Sequence, residues 1–282
     1  MEIKTVSVAG AGTMGLGITI SCALAGYHTK LFDVNKQACE RAVSLVEKTL
    51  NQLLEKGKIA PDTSAQAKKN ISISTDPEQL KADLVVEAIA ENLTIKQDIF
   101  RQVEMLNTSK TILATNTSSL SVSKIASALT NPTRCAGLHF FNPAHIMKLV
   151  EVVAGAQTEP VVLATLKAFA KSIGKVSVDA KDSPGFIVNR VARHFYVESL
   201  LAVETGAASF EGIDSLMRAS GFKMGPFELM DLIGIDVNYA VTQSVYEGFN
   251  NASKFKPSPV QKSKIDNGEL GRKSGKGFYA YS

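Results

Sequence analysis

The chain has 282 residues, 45% hydrophobic and 21% charged, the proportions of a globular protein able to bury one large core or two smaller ones. A formal net charge of +4, with Lys and Arg interleaved among Asp and Glu, leaves no nucleic-acid footprint but suits an anionic cofactor or substrate. Cys22, Cys39 and Cys135 form neither an even set nor a CxxC pair, so neither a disulfide framework nor a metal site is expected, and a reducing cytoplasm fits.

From Thr5 to Gly26 no side chain is charged, and the stretch superficially resembles a secretory signal or a membrane span. Gly10, Gly12, Gly15 and Gly17 interrupt it where a strand would turn into a helix, so neither a signal peptide nor a span is expected. The reading is a βαβ unit: strand from Ile3 to Ala9, helix from Thr13 to Ala25, strand from Thr29 to Asp33. Asn35 to Lys56 is a long amphipathic helix, with Ala38, Ala42, Leu45, Val46, Leu50, Leu53 and Leu54 at helical spacing. Strands follow at 71–74 and 83–88, a helix around Thr94 to Leu106, and a strand from Thr111 to Thr115. This alternation predicts a parallel sheet covered on both faces. A turn-like junction, Asp182-Ser-Pro-Gly-Phe186, then opens a region of helices and Gly-containing loops, with little strand pattern until Gly277 to Tyr281.

Gly10-Ala-Gly-Thr-Met-Gly15 fits GxGxxG directly after a strand and at the start of a helix. In that context the first glycine permits a tight turn, the second lets backbone approach a pyrophosphate, and the third lets helix and strand pack closely. Asp33 closes the next strand, about 20 residues on, where a carboxylate accepts from the adenosine ribose and repels a 2′-phosphate, favouring NAD over NADP. The competing reading is a glycine-rich turn followed by a surface acid.

Arg134 to Phe141 reads as a strand, 142–147 as a turn, and Lys148 to Val153 as a second strand. If the two pair antiparallel about residue 145, His139 faces Glu151, with Cβ atoms about 5 Å apart. Glu151 can then accept from one imidazole nitrogen while the other takes a proton, the chemistry needed when hydride leaves a carbinol. His28, His145 and His194 have no comparable partner in sequence. Asn116-Thr-Ser-Ser119 follows a strand and should lie at the carboxyl edge of the sheet, where short polar side chains can bond a substrate oxygen. Ser118 is the preferred hydroxyl; Ser119 or Ser121 could equally start the next helix.

Eight segments, Val8–Gly15, Glu87–Asn92, Asn116–Leu120, Gly137–Pro143, Met147–Glu151, Pro184–Arg190, Met224–Leu229 and Gly271–Tyr279, together resemble the 3-hydroxyacyl-CoA dehydrogenase family over essentially the whole chain. The resemblance implies an α/β fold: a Rossmann-type domain over 1–183, with a mainly parallel sheet carrying the His/Glu pair, and an all-α domain over 184–282 for the substrate cleft and dimerisation. It implies His139 as general acid/base, Glu151 as its orienting partner, and Ser118 and Asn189 as contacts to substrate oxygens. Asn189 by its residues alone is only a position in the first turn of a helix. The cofactor NAD would contact Gly10, Gly12, Thr13, Met14, Gly15, Asp33, Glu91, Lys96, Ser118, Asn142 and, more weakly, Lys273. Lys56, after the long helix, would meet a CoA phosphate, unless it is an ordinary solvated lysine. One departure is local: Ala144-His-Ile stands where many relatives carry Pro and Val.

The reaction so implied is reversible NAD-linked interconversion of (S)-3-hydroxybutyryl-CoA and acetoacetyl-CoA, by a cytoplasmic homodimer serving fatty-acid, butanoate or aromatic-degradation metabolism, with no nucleic-acid or membrane partner. Two alternatives stay open, a non-catalytic crystallin-like NAD-binding member and a dehydrogenase acting on free 3-hydroxy acids.

Overall fold

Short runs of apolar and β-branched residues become strands in the first half of the chain, and the longer amphipathic segments between them become helices. The computed structural model describes residues 2–281, so positions 1 and 282, the outermost of the two expected domains, lie outside the described residues. The chain divides into two units, Met1–Ser183 and Pro184–Ser282. In the first, the order is β1 (Thr5–Ala9), α1 (Thr13–Leu24), β2 (His28–Phe32), α2 (Lys36–Glu55), α3 (Pro61–Lys69) and β3 (Ile71–Ser74). Then come β4 (Leu84–Glu87), α4 (Leu93–Leu106), β5 (Ile112–Thr115), α5 (Val122–Ala126), β6 (Cys135–Phe140), β7 (Leu149–Ala154), α6 (Pro160–Ser172) and β8 (Val176–Lys181). Asn35 caps α2 by accepting from the Ala38 N–H, and Asn92 caps α4 from Ile95.

The strands form one sheet ordered β3-β2-β1-β4-β5-β6-β7-β8. The first six positions run parallel, β7 turns back antiparallel against β6, and β8 lies parallel to β7. The 3-2-1-4-5-6 core is the doubly wound Rossmann order, with its switch between β1 and β4. Side chains alternate across the sheet as the pleat requires. Val6, Val8, Leu84 and Val86 join Ile18 of α1 and Leu166 and Phe169 of α6 on one face. Ala9, Val85 and Leu113 join Phe100 and Val103 of α4 and Ile125 of α5 on the other. Burial on both faces explains why these strands read as continuous apolar runs.

The second unit is helical: α7 (Val188–Glu204), α8 (Phe210–Ala219), α9 (Pro226–Ile233), α10 (Ile235–Gly248) and α11 (Pro259–Asp266). They enclose Tyr196, Leu200, Phe227, Met230, Ile235 and Phe278. The strand pattern expected near Gly277 to Tyr281 forms only isolated bridges, Gly271 with Lys276 and Lys276 with Ala280. Its aromatic residues are held instead by the buried Asp231 carboxylate, which accepts from the Phe278 and Tyr279 N–H groups and the Tyr281 hydroxyl. Among the described residues no helix is long and apolar enough to cross a membrane.

Candidate active site

The glycine turn divides its labour as the spacing requires. Gly10 has φ of +107°, and a Cβ there would lie 2.6 Å from the Ala88 carbonyl oxygen; at Gly15 it would lie 1.8 Å from the Gly10 oxygen. These two glycines fold and pack the turn. A Cβ on Gly12 would meet nothing within 4 Å, so that face lies open above the start of α1. Gly12 is the N-cap of α1 and supplies no side-chain cap, and the first turn, which contains Thr13 and Met14, carries no acid. Open backbone N–H groups at a positive helix terminus fit a pyrophosphate. Asp33 directly follows β2, one carboxylate oxygen accepting from the Ala11 N–H at 2.8 Å and the other from the Asn35 N–H at 2.9 Å. It steadies the glycine turn.

At the carboxyl end of β6 the antiparallel register pairs His139 with Glu151 across the ladder to β7. The imidazole Nδ1 lies 2.7 Å from Glu151 Oε2, and both side chains are buried. Phe141 packs on the His139 ring, centroids 4.6 Å apart. Asn116, just beyond β5, accepts the Phe140 N–H at 2.8 Å and ties the ends of β5 and β6 together.

Ser118 lies in the loop after β5, gathered onto Glu91. The Oε1 of that carboxylate accepts from the Thr117 hydroxyl, the Ser118 and Ser119 N–H groups and the Ser119 hydroxyl, at 2.5–3.1 Å. Its Oε2 lies 3.2 Å from Lys96 Nζ. Burial pushes the Glu91 carboxyl up, but the Lys96 charge and the hydroxyl donors outweigh it and hold the group below the ordinary carboxylate range. Lys96 is itself 1% exposed and donates to Glu87 at 2.5 Å. It therefore braces the loop from beneath. Of the two serines that could start the next helix, Ser121 does so, capping α5 by accepting from Lys124.

The other expected site residues belong to other elements. Asn142 is exposed and precedes a cis bond to Pro143. Lys56 is exposed at the C-cap of α2. In the second unit Asn189 is half-buried in the first turn of α7, whose N-cap is Ile187, and its carbonyl accepts from Arg193. Lys273 is paired there with Asp236, at 2.6 and 2.7 Å.

Three contributors carry no role in the sequence reading. Glu87 accepts from Lys96, from the Ile89 N–H and from the Thr115 hydroxyl. Lys175 donates to the Ala144 and Met147 carbonyls at 2.6 and 2.8 Å, holding the loop after β6. Asp182 accepts from the N–H groups of Val122 and Ser123 and the Ser121 hydroxyl at the start of α5. A charged residue within or beside an apolar strand is the one signal that could have exposed Glu87.

Comparison with known proteins identifies the family. Residues 5–183 match the family model described as 3-hydroxyacyl-CoA dehydrogenase, NAD binding domain, and residues 185–281 match that of the C-terminal domain. A 3-hydroxyadipyl-CoA dehydrogenase from Escherichia coli is 45% identical over 99% of the chain, which spans 59% of that longer protein. A probable 3-hydroxybutyryl-CoA dehydrogenase from Bacillus subtilis is 40% identical, with 100% of this chain and 98% of the relative covered. The crystal structure of (S)-3-hydroxybutyryl-CoA dehydrogenase from Ralstonia eutropha superposes with a TM-score of 0.95 at 37% identity, both chains covered in full.

Proposed function

Because the chain belongs to the 3-hydroxyacyl-CoA dehydrogenase family, whose first domain binds NAD, we propose that it reversibly oxidises (S)-3-hydroxybutyryl-CoA to acetoacetyl-CoA. The observation that carries the reading is the buried His139–Glu151 pair, 2.7 Å apart, at the carboxyl edge of the sheet. NAD, when bound, supplies the hydride acceptor. His139 takes the carbinol proton as the alcohol becomes a ketone and returns it in the reverse direction. Glu151 holds the ring by Nδ1 and stabilises the imidazolium that forms. Ser118, held in place by Glu91, bonds the substrate oxygen; the resemblance alone assigns Asn189 a similar contact, Lys56 to a CoA phosphate, and Asn142 and Lys273 to the cofactor. Gly12, Thr13 and Met14 receive the pyrophosphate over the turn that Gly10 and Gly15 fold, and Asp33 the adenosine ribose. We assign the helical unit a part in dimerisation and the enzyme to the cytoplasm and short-chain acyl-CoA metabolism, all on the family resemblance.

The relative at 45% identity is named for 3-hydroxyadipyl-CoA, so a dicarboxylic acyl chain belongs in the same test. Steady-state NADH oxidation is measured with acetoacetyl-CoA, 3-oxoadipyl-CoA and free acetoacetate. Turnover of a CoA thioester well above that of the free acid supports the proposal; a folded protein that reduces neither thioester sinks it.

A further inference from the structure

Glu87, Lys96 and Glu91 make a cluster whose net charge the steps above leave without a part. The Lys96 ammonium lies 2.5 Å from Glu87 and 3.2 Å from Glu91, with Lys96 and Glu87 both almost wholly buried. Lysine ordinarily threads its ammonium out to water, so an ammonium kept under cover requires compensation from its partners. Two carboxylates compensate it and leave one formal negative charge over. Glu87 ends β4, the strand beside β1 where the sheet order reverses and where such sheets take dinucleotides. Its Oε1 accepts the Ile89 N–H, and Ala88 and Ile89 are the residues against which Gly10 is packed. Were NAD to lie with its adenosine half beside Asp33, its nicotinamide half would fall over the ends of β4 and β5, where Glu87 and Thr115 stand on the side toward His139.

We propose that the surplus negative charge of the Glu87–Lys96–Glu91 cluster biases the site toward the oxidised cofactor. The nicotinamide ring is cationic in NAD+ and neutral in NADH, so reduction makes the dinucleotide one unit more negative. Fixed negative charge beneath that half weakens NADH relative to NAD+, the more so because Glu87 and Lys96 are buried and only Glu91 meets water.

This inference rests on the dehydrogenase reading. The test is the pair of dissociation constants for NAD+ and NADH, by titration calorimetry, in the unaltered protein, Glu87→Gln and Thr115→Val. Removing the Glu87 charge raises the ratio Kd(NAD+)/Kd(NADH) roughly three- to tenfold, as expected for one unit charge acting across a partly screened site. Thr115→Val withdraws a hydrogen bond from the same carboxylate without altering charge, and leaves the ratio unchanged. A ratio unmoved in Glu87→Gln overturns the inference, even if both affinities fall together, since that is the mark of positioning alone. If Glu87→Gln does not fold, Glu91→Gln removes the same unit of charge and must move the ratio the same way. Failure of the unaltered protein to bind either cofactor defeats the dehydrogenase reading itself; binding with unmoved ratios defeats only the charge bias.

Discussion

At the scale of single residues, the proposed chemistry rests on one imidazole held by one carboxylate. His139→Gln keeps the size of the buried group and removes its titrating nitrogen, so kcat should fall by about 10² to 10⁴ with the NADH dissociation constant nearly unchanged. Near-normal turnover would remove His139 from the mechanism. The pairing itself was legible because strand side chains alternate with a period of two and the turn residues stand between two apolar runs, which together leave one register. Glu91 and Lys96 were legible only through the family pattern. Glu87 was not, because its partners, Lys96 and Thr115, come from α4 and β5 and meet it only after the sheet has formed. Sequence spacing contains no trace of that meeting.

Among the elements, the same residue type has different consequences at different places. Gly12→Ala adds a methyl where nothing lies within 4 Å, so the melting temperature should hold while NADH binding weakens, because the methyl stands where the pyrophosphate approaches. Gly137→Ala drives a Cβ to 2.7 Å from Val153 on β7 and 3.0 Å from Val122 on α5. Such overpacking should cost about 1–3 kcal/mol, read as a lower denaturant midpoint. Equal stability loss in the two variants would mean that Gly12, too, is a packing glycine. The strands from β1 to β7 could be read because they are apolar or framed by glycine turns. α3, α6 and β8 went unread: β8, Val176-Ser-Val-Asp-Ala-Lys181, is an edge strand with Val176 and Val178 exposed, and only its parallel ladder to β7 defines it. In the second unit, Asp231 replaces the ladder that the Gly277 to Tyr281 aromatics suggested; a carboxylate that collects two N–H groups and a hydroxyl organises the segment without a sheet.

For the whole molecule, hydrogen-bond donors and nearby cations set the acid edge of the pH range of stability and burial sets the alkaline edge. On the acid side, Asp83 and Asp236 are pushed up by burial but more strongly down by their donors, Lys4 and Thr5 N–H groups for the first and Lys273 for the second; Glu91 behaves alike. A carboxyl whose folded value lies below its unfolded one contributes stability that is complete above the unfolded value, about 4, and is lost as pH falls through the folded one. On the alkaline side, burial pushes the Cys22 thiol from 9.0 to about 12 and raises Cys135 further, while burial and Asp231 push Tyr281 to about 12. Raised groups of this kind contribute fully below the unfolded values, about 8.5 to 10, and lose that contribution as pH climbs toward the folded ones. Lys175 and Arg193 oppose this, because burial lowers both, Arg193 to about 10, and their folded forms shed protons early. The thiols begin to lose their contribution at their unfolded value, about 8.5, whereas Arg193 sheds its proton only near 10, so the melting temperature should be level from about pH 5 to 8 and decline beyond about pH 9. Cys22 and Cys135 belong to the first unit and Tyr281 to the second, so calorimetry should show the alkaline decline in both units. Replacing Cys22 by Ala should move the alkaline edge of the first unit alone to higher pH. A melting temperature still rising between pH 9 and 11 would mean that Lys175 and Arg193 dominate, and the assignment of the alkaline edge to buried thiols would be wrong.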